Sequence, residues 1–327
     1  MKTHQVQQKT ERRISAALRL VFVAALLLGQ IALAFFLSTE LRQRAAIIYT
    51  VLELAAFGYA VRIYNRTDGA SYKFGWIFLV LTVPVVGLIL YFLWNGDRQQ
   101  KRLDLKKLPM PEEPEAQQAA HRIQMEKLRR KFPQWERLSV YLSRQGYLLY
   151  GDTETTYLPT GEAFLQDMLE KLEQAEHFIF LEFFIIAQGQ IWDRMAEIFR
   201  RKAAEGVEVK IIFDDFGSMM RFPAGQIEAL RESGVEVQVF NPVHHYVNRL
   251  YFNYRDHRKI VCIDGSTAYT GGANVADEYA NLTVRFGYWK DCGIRLDGPG
   301  AWGLTREFLH MWQRNGGQLM QERDYYR

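Results

Sequence analysis

The sequence predicts an α/β protein: N-terminal transmembrane helices, then an α/β/α sandwich around a mixed, largely parallel sheet. Three observations carry this expectation. Apolar residues crowd into the first hundred positions, in runs long enough to matter to a bilayer. The phrase Gly-Val-Glu-Val, followed by apolar residues, occurs at Gly206 and again at Gly234, each time after a helical pattern. Repeated helix–strand units argue for a sheet covered by helices. The run 178–186 (FIFLEFFII) is too apolar for a strand with one face in water.

A basic tail (1–18) precedes the first apolar run, 20–37. That run is too long for a signal-peptide centre and has no small-residue cleavage site, so it reads as a retained anchor. Two further spans are expected, at 45–61, interrupted by Glu53, and at 74–94, with Trp76, Tyr91 and Trp94 placed as interface anchors. Glu53 reads as a carboxylate packed against a neighbouring span or near an interface. The membrane domain is therefore 19–96. The dense basic cluster Arg98, Lys101, Arg102, Lys106 and Lys107 argues for a cytoplasmic catalytic side, whereas three spans would put the N-terminal cluster outside.

From 97 to 155 the composition turns to Lys, Arg, Gln and Glu, punctuated by Pro109, Pro111 and Pro114. Within this linker, 115–131 reads as an exposed helix, either a solvated spacer or a basic surface for anionic lipid headgroups. The catalytic domain is expected at 156–327. Its elements run helix 161–176, strand 178–186, helix 191–205 stopped by Gly206, strand 207–213, helix 223–233 stopped by Gly234 and strand 235–240. Strands near 259–263, 267–270 and 291–296 follow, then a closing helix, 301–312.

The chemistry concentrates in 253–274, NYRDHRKIVCIDGSTAYTGGAN. It holds the pattern H-x-K-x-x-x-x-D as His257, Lys259 and Asp264, then Gly271-Gly272 and Asn274. Residues two apart on a strand share a face, so His257 and Lys259 would point the same way. A neutral imidazole can attack a phosphodiester and split one hard displacement into two. Lys259 would supply fixed positive charge, Asn274 an amide donor, and the two glycines close backbone approach to substrate. Asp264 is expected to fix loop geometry, since a carboxylate would repel phosphate. Asp291 could orient the imidazole. Glu182, Arg255, Gly271 and Gly272 are the candidate substrate-binding positions, and Glu182 alone could equally be a buried, hydrogen-bonded carboxylate. The pair His244-His245 reads as solvated loop. Cys262 and Cys292 have no metal-ligand spacing, so no metal is expected. A formal net charge of +4 is too small to argue for nucleic acid.

Together these motifs resemble the phospholipase D superfamily, and among its members the bacterial cardiolipin synthases. The likeness rests on the H-x-K-x-x-x-x-D residues, Trp76…Pro84…Gly87…Tyr91, Leu181-Glu182-Phe183, Asp215-Phe216-Gly217-Ser218, Asn253-Tyr254-Arg255, Gly271-Gly272-x-Asn274, Asp277-Glu278-Tyr279 and Trp289-x-Asp291. It implies a phospholipase D-like α/β/α sandwich in the bacterial cytoplasmic membrane. It also implies transfer between two phosphatidylglycerol molecules through a phosphatidyl-histidine, with glycerol released and no cofactor. Such enzymes carry two motifs, whereas this sequence holds one. The resemblance therefore implies a homodimer or a missing C-terminal half. The alternatives are a dimeric single-motif phosphodiesterase, of phospholipase or nuclease type, or an inactive N-terminal half.

Overall fold

The computed structural model describes residues 42–94, 113–219, 221–242, 255–285, 287–319 and 325–326, with scattered positions between 21 and 35. These fall into two compact units, one holding the residues up to 94 and the other those from 113 onward. His244 and His245, the basic cluster 98–107 and most of the 20–37 run lie outside the described residues.

The first unit contains helices α1 (Arg42–Tyr64), α2 (Ala70–Thr82) and α3 (Pro84–Trp94). The span expected at 74–94 is thus two helices. Pro84 has no N–H to donate and disfavours helical backbone before it, and Val83 sits at φ −133°, ψ 70°. The chain then folds back on itself. A Cβ on Gly87 would lie 2.5 Å from the Leu79 carbonyl oxygen and 2.8 Å from Val80 Cα, so only glycine permits the approach. At 1.5 Å per residue α2 and α3 reach about 20 Å and 16 Å, short of a hydrocarbon core of about 30 Å. Among the described residues no helix is long and apolar enough to cross a membrane.

Trp76 and Tyr91 are also corrected. They are buried edge to face, ring centroids 5.5 Å apart, in a cluster with Ala56, Ile63, Val80 and Leu90. An aromatic ring packs into a helical core as readily as it anchors at an interface, and the close approach at Gly87 brings these two together. Glu53 is exposed, not packed, whereas Leu54, Phe57, Phe74 and Phe78 present an apolar outer face.

In the second unit α4 (Glu115–Lys131) has the expected limits, and α5 (Glu136–Arg144) follows after one turn. The sheet strands are β1 (Glu154–Leu158), β2 (Phe178–Phe183), β3 (Glu208–Asp214), β4 (Glu236–Phe240), β5 (Ile260–Ile263), β6 (Thr267–Gly271) and β7 (Gly293–Asp297). Between and after them lie α6 (Gly161–Leu172), α7 (Gln190–Ala204), the one-turn α8 (Asp215–Ser218), α9 (Ala224–Glu232) and α10 (Ala301–Arg314). The strand order is β1-β7-β6-β5-β2-β3-β4.

The sheet is mixed, but not largely parallel. Among the named strands of the described residues, β2–β3 and β3–β4 pair in parallel, and the other pairs are antiparallel. The reason is connection length. The two Gly-Val-Glu-Val units carry helical crossovers, whereas β5 and β6 are joined by Asp264-Gly265-Ser266, far too short for a crossover. Asp264 (φ 51°) and Gly265 (φ 72°) are both left-handed, and the Ser266 N–H donates to the Ile263 carbonyl at 3.3 Å. That is the Asp-Gly hairpin turn whose twist matches its strands.

Every residue of β2 is buried, as its composition requires. Ile179, Leu181 and Phe183 join the core with Phe164, Leu165 and Met168 of α6 and Trp192 and Phe199 of α7. On the other face Phe180 stacks on Phe308 of α10, centroids 4.7 Å apart and planes 9° from parallel. Helices α7 and α9 stop where Gly206 (φ 91°) and Gly234 (φ 89°) turn left-handed.

Candidate active site

The residues just ahead of β5 form the site. His257 is exposed and its ring lies 4.8 Å from that of Phe184, tilted by 50°. Lys259 is buried. Its Nζ donates to the His257 carbonyl oxygen at 2.7 Å and stands 5.5 Å from the centre of the same phenyl ring. The two side chains expected to share a strand face thus meet over Phe184, a residue that the sequence reading did not single out.

Phe184 is held from three sides. Its carbonyl accepts from Ser218 Oγ at 3.3 Å, and the same Oγ accepts the Ile186 N–H at 3.0 Å. The Ile185 N–H donates to Asn274 Oδ1 at 3.0 Å, while Asn274 Nδ2 donates to the Tyr279 hydroxyl at 2.8 Å. A Cβ on Gly217 would collide with the Phe184 carbonyl. The amide expected to meet substrate therefore spends its oxygen on the loop under Phe184 and one N–H on the Tyr279 hydroxyl.

The backbone leading into His257 is fixed by Asp214 at the end of β3. Its carboxylate accepts the N–H groups of Phe216 (2.8 Å), Gly217 (3.3 Å) and Asp256 (2.9 Å). Arg255 donates to Asp214 Oδ1 at 3.3 Å and to the Asn241 carbonyl at 3.0 Å, and its guanidinium stacks on Phe216. In this arrangement Arg255, placed in the substrate-binding set, braces the strand ends.

The glycines are likewise structural here. A Cβ on Gly271 would lie 2.7 Å from the Cys292 carbonyl oxygen, and one on Gly272 would strike the Asp291 carboxylate. What comes close to this backbone is the start of β7, through the Gly272 N–H bonded to the Cys292 carbonyl at 3.0 Å. Asp291 Oδ1 accepts the Cys292 N–H at 2.8 Å. Asp264 sits at the far end of β5 from His257. Its Oδ2 accepts the Glu176 N–H and its Oδ1 those of His177 and Phe178, each at 2.8 Å, which ties the hairpin turn to the start of β2.

Glu182 is fully buried and takes Arg258 Nε at 2.6 Å, while Arg258 Nη1 donates to Glu307 at 2.8 Å. Burial is the main force pushing the Glu182 carboxyl well above the usual range. Asp256 adds to it and Arg258 opposes it. Arg258 and Asp256 were legible only as neighbours of the motif; nothing in their spacing marked them as partners of Glu182.

The electrostatics favour a neutral imidazole. Partial burial and then the Lys259 charge hold His257 below its ordinary value, against the pull of Asp256. Burial pushes Lys259 down to about 8, opposed by Asp256 and Asp291. The arrangement thus has an exposed imidazole held below its ordinary pKa, beside a cation that an incoming anion would stabilise.

Residues 168–284 match the family described as "Cardiolipin synthase, PLD-like domain", and residues 54–95 match "Phospholipase_D-nuclease N-terminal". An uncharacterized protein of Streptococcus mutans serotype c is 38% identical over 241 residues, covering 72% of this chain and 51% of that protein. Cardiolipin synthase 2 of Bacillus anthracis is 31% identical over 273 residues, covering 83% of this chain and 53% of its own. Among solved structures, NucT from Helicobacter pylori overlaps at a TM-score of 0.39 with 13% identity, covering 50% of this chain and 98% of that one. The chain spans about half the length of the curated relatives it matches. With a cardiolipin-synthase-type domain across the motif and an N-terminal region of the matching kind ahead of it, the chain belongs to the phospholipase D superfamily.

Proposed function

We propose that this chain supplies one catalytic half of a phosphatidyltransferase that makes cardiolipin from two phosphatidylglycerol molecules. The observation that carries the reading is the exposed, low-pKa His257 set beside buried Lys259 on the Phe184 platform. The imidazole lone pair attacks phosphorus, a P–N bond forms, and the P–O bond to the headgroup glycerol breaks. The leaving oxygen takes a proton and departs as glycerol. A hydroxyl of the second phosphatidylglycerol then attacks phosphorus, gives up its proton and breaks the P–N bond, which frees the imidazole. Lys259 neutralises the phosphoryl oxygens as charge builds on them. Asn274, Ser218 and Asp214 act by positioning, and Asp264 by holding the far end of the strand. Asp291, near enough to Lys259 to raise its pKa, helps to keep it charged.

The proton for the leaving glycerol comes, in this reading, from the histidine of a second motif, on another copy or another stretch of chain. The first unit holds the enzyme at the bacterial cytoplasmic membrane, for which its exposed apolar face of Leu54, Phe57, Phe74 and Phe78 is the support.

The test is reconstitution in vesicles containing phosphatidylglycerol, with cardiolipin and glycerol both quantified. Equal yields of the two, abolished by His257→Ala, are expected. Phosphatidic acid in place of cardiolipin would shift the reading to a phosphodiesterase, and no product of either kind from well-folded, paired protein would overturn it.

A further inference from the structure

Helix α5 is inside out. Its polar side is the one turned to the protein: Ser139 and Ser143 are half-buried, and Ser143 Oγ lies 3.2 Å from His121 Nε2 of α4 and donates to the Ser139 carbonyl at 2.7 Å. The Leu149 N–H donates to His121 Nδ1 at 2.9 Å, which puts the ring proton on Nε2, facing the serine. No residue of α5 is buried. Its large apolar side chains point the other way. Trp135, at the turn into the helix, is 54% exposed and Tyr141 60%, and Phe132, Leu138 and Leu142 are exposed with them. Positions 135, 138 and 142 are spaced three and four apart, one stripe of a helix.

The charge around this stripe says what covers it. Residues 115–144 hold seven Lys and Arg against three Glu. Arg129, Arg130, Lys131, Arg137 and Arg144 are all exposed. An apolar stripe rich in Trp, Tyr and Phe, bordered by cations, suits the headgroup–acyl boundary of an anionic bilayer.

We infer that the 132–144 segment is a membrane-docking element: the aromatic stripe enters the interface of an anionic bilayer, and the flanking cations meet lipid phosphates. This lays the second unit itself against lipid, independently of the apolar first unit. The inference shares with the proposed function only the premise that the protein works at a bilayer. Its readout is depth, not turnover, so either can fail without the other.

The test uses the full chain in the Cys292→Ser background, because Cys262 is buried and Cys292 exposed. A nitroxide is placed at Tyr141→Cys, with Glu170→Cys as a surface control. The protein is reconstituted in phosphatidylcholine vesicles with and without phosphatidylglycerol. The expected result is a several-fold loss of collision with an aqueous nickel chelate and a gain with oxygen at 141 but not at 170 when phosphatidylglycerol is present. Changing Arg129, Arg130, Lys131 and Arg137 together to Gln should return label 141 several-fold toward water. A label at 141 as water-accessible as that at 170 would overturn the inference. So would spin–spin broadening at 141 that persists without lipid, which would assign the stripe to a second copy. No response to the Gln changes would overturn the role of the cations.

Discussion

The two ends of strand β5 belong to one motif and behave in opposite ways. At its start partial burial and the Lys259 charge hold His257 below its ordinary value, and burial pushes Lys259 down to about 8 despite Asp256 and Asp291. At its end the Asp264 carboxylate is saturated by three backbone N–H groups. One end keeps perturbed, partly unsatisfied groups, and the other has spent its hydrogen bonds on the fold. Under the proposed function, reactivity goes with the first and stability with the second.

Substitutions should separate the ends. His257→Ala is expected to lower transfer by about 10⁴-fold or more, with no loss of thermal stability, measured as cardiolipin formed per folded molecule. Asp264→Ala should do the reverse. Losing a charged acceptor for three N–H groups, and placing alanine at φ 51°, should cost about 3 kcal/mol in a denaturant titration. Its rate per folded molecule should stay within about threefold of the parent if Asp264 meets no substrate. A large rate loss at unchanged stability would erase the distinction.

The pH profile sharpens the reactive end. Attack needs neutral His257, so activity should rise with pH through a value below the ordinary imidazole one. It should fall again as Lys259 loses its proton near about 8. Lys259→Arg should remove the alkaline fall, because guanidinium stays charged. An alkaline limb unchanged in that variant would assign it to another group.

The smallest effect concerns the platform. Phe184→Leu keeps an apolar side chain but removes the ring under both groups, which should lower the rate by about threefold to tenfold. It should also raise the acid-side pKa toward the ordinary value as water reaches His257.

These contrasts also show what was legible in the sequence. Glycine stops at Gly206 and Gly234 and a two-sided strand at 178–186 follow from local rules; the stops stand in the structure, and the strand is buried on both faces but ends at Phe183. The repeated helix–strand units predict a parallel sheet, whereas the Asp264-Gly265 turn is the local signal for the antiparallel half. Gly271, Gly272 and Arg255 flank the motif in sequence, and the structure adds contacts that no local pattern announces: the start of β7 against both glycines and Asp214 against Arg255. Phe184 escaped because its importance is tertiary: residues 73 and 75 positions away converge on its ring. Pro84 was visible inside the apolar run 74–94, yet hydropathy alone hid the break it makes.

The central claim is that His257 takes the phosphatidyl group. The most direct measurement is to incubate the reconstituted chain with phosphorus-labelled phosphatidylglycerol, quench in denaturant at neutral pH and follow label on the protein. The account predicts label that appears with glycerol release, is lost on acid treatment as a phosphoramidate should be, and is absent from His257→Ala. Glycerol release with no labelled protein, or equal labelling of His257→Ala, would contradict it.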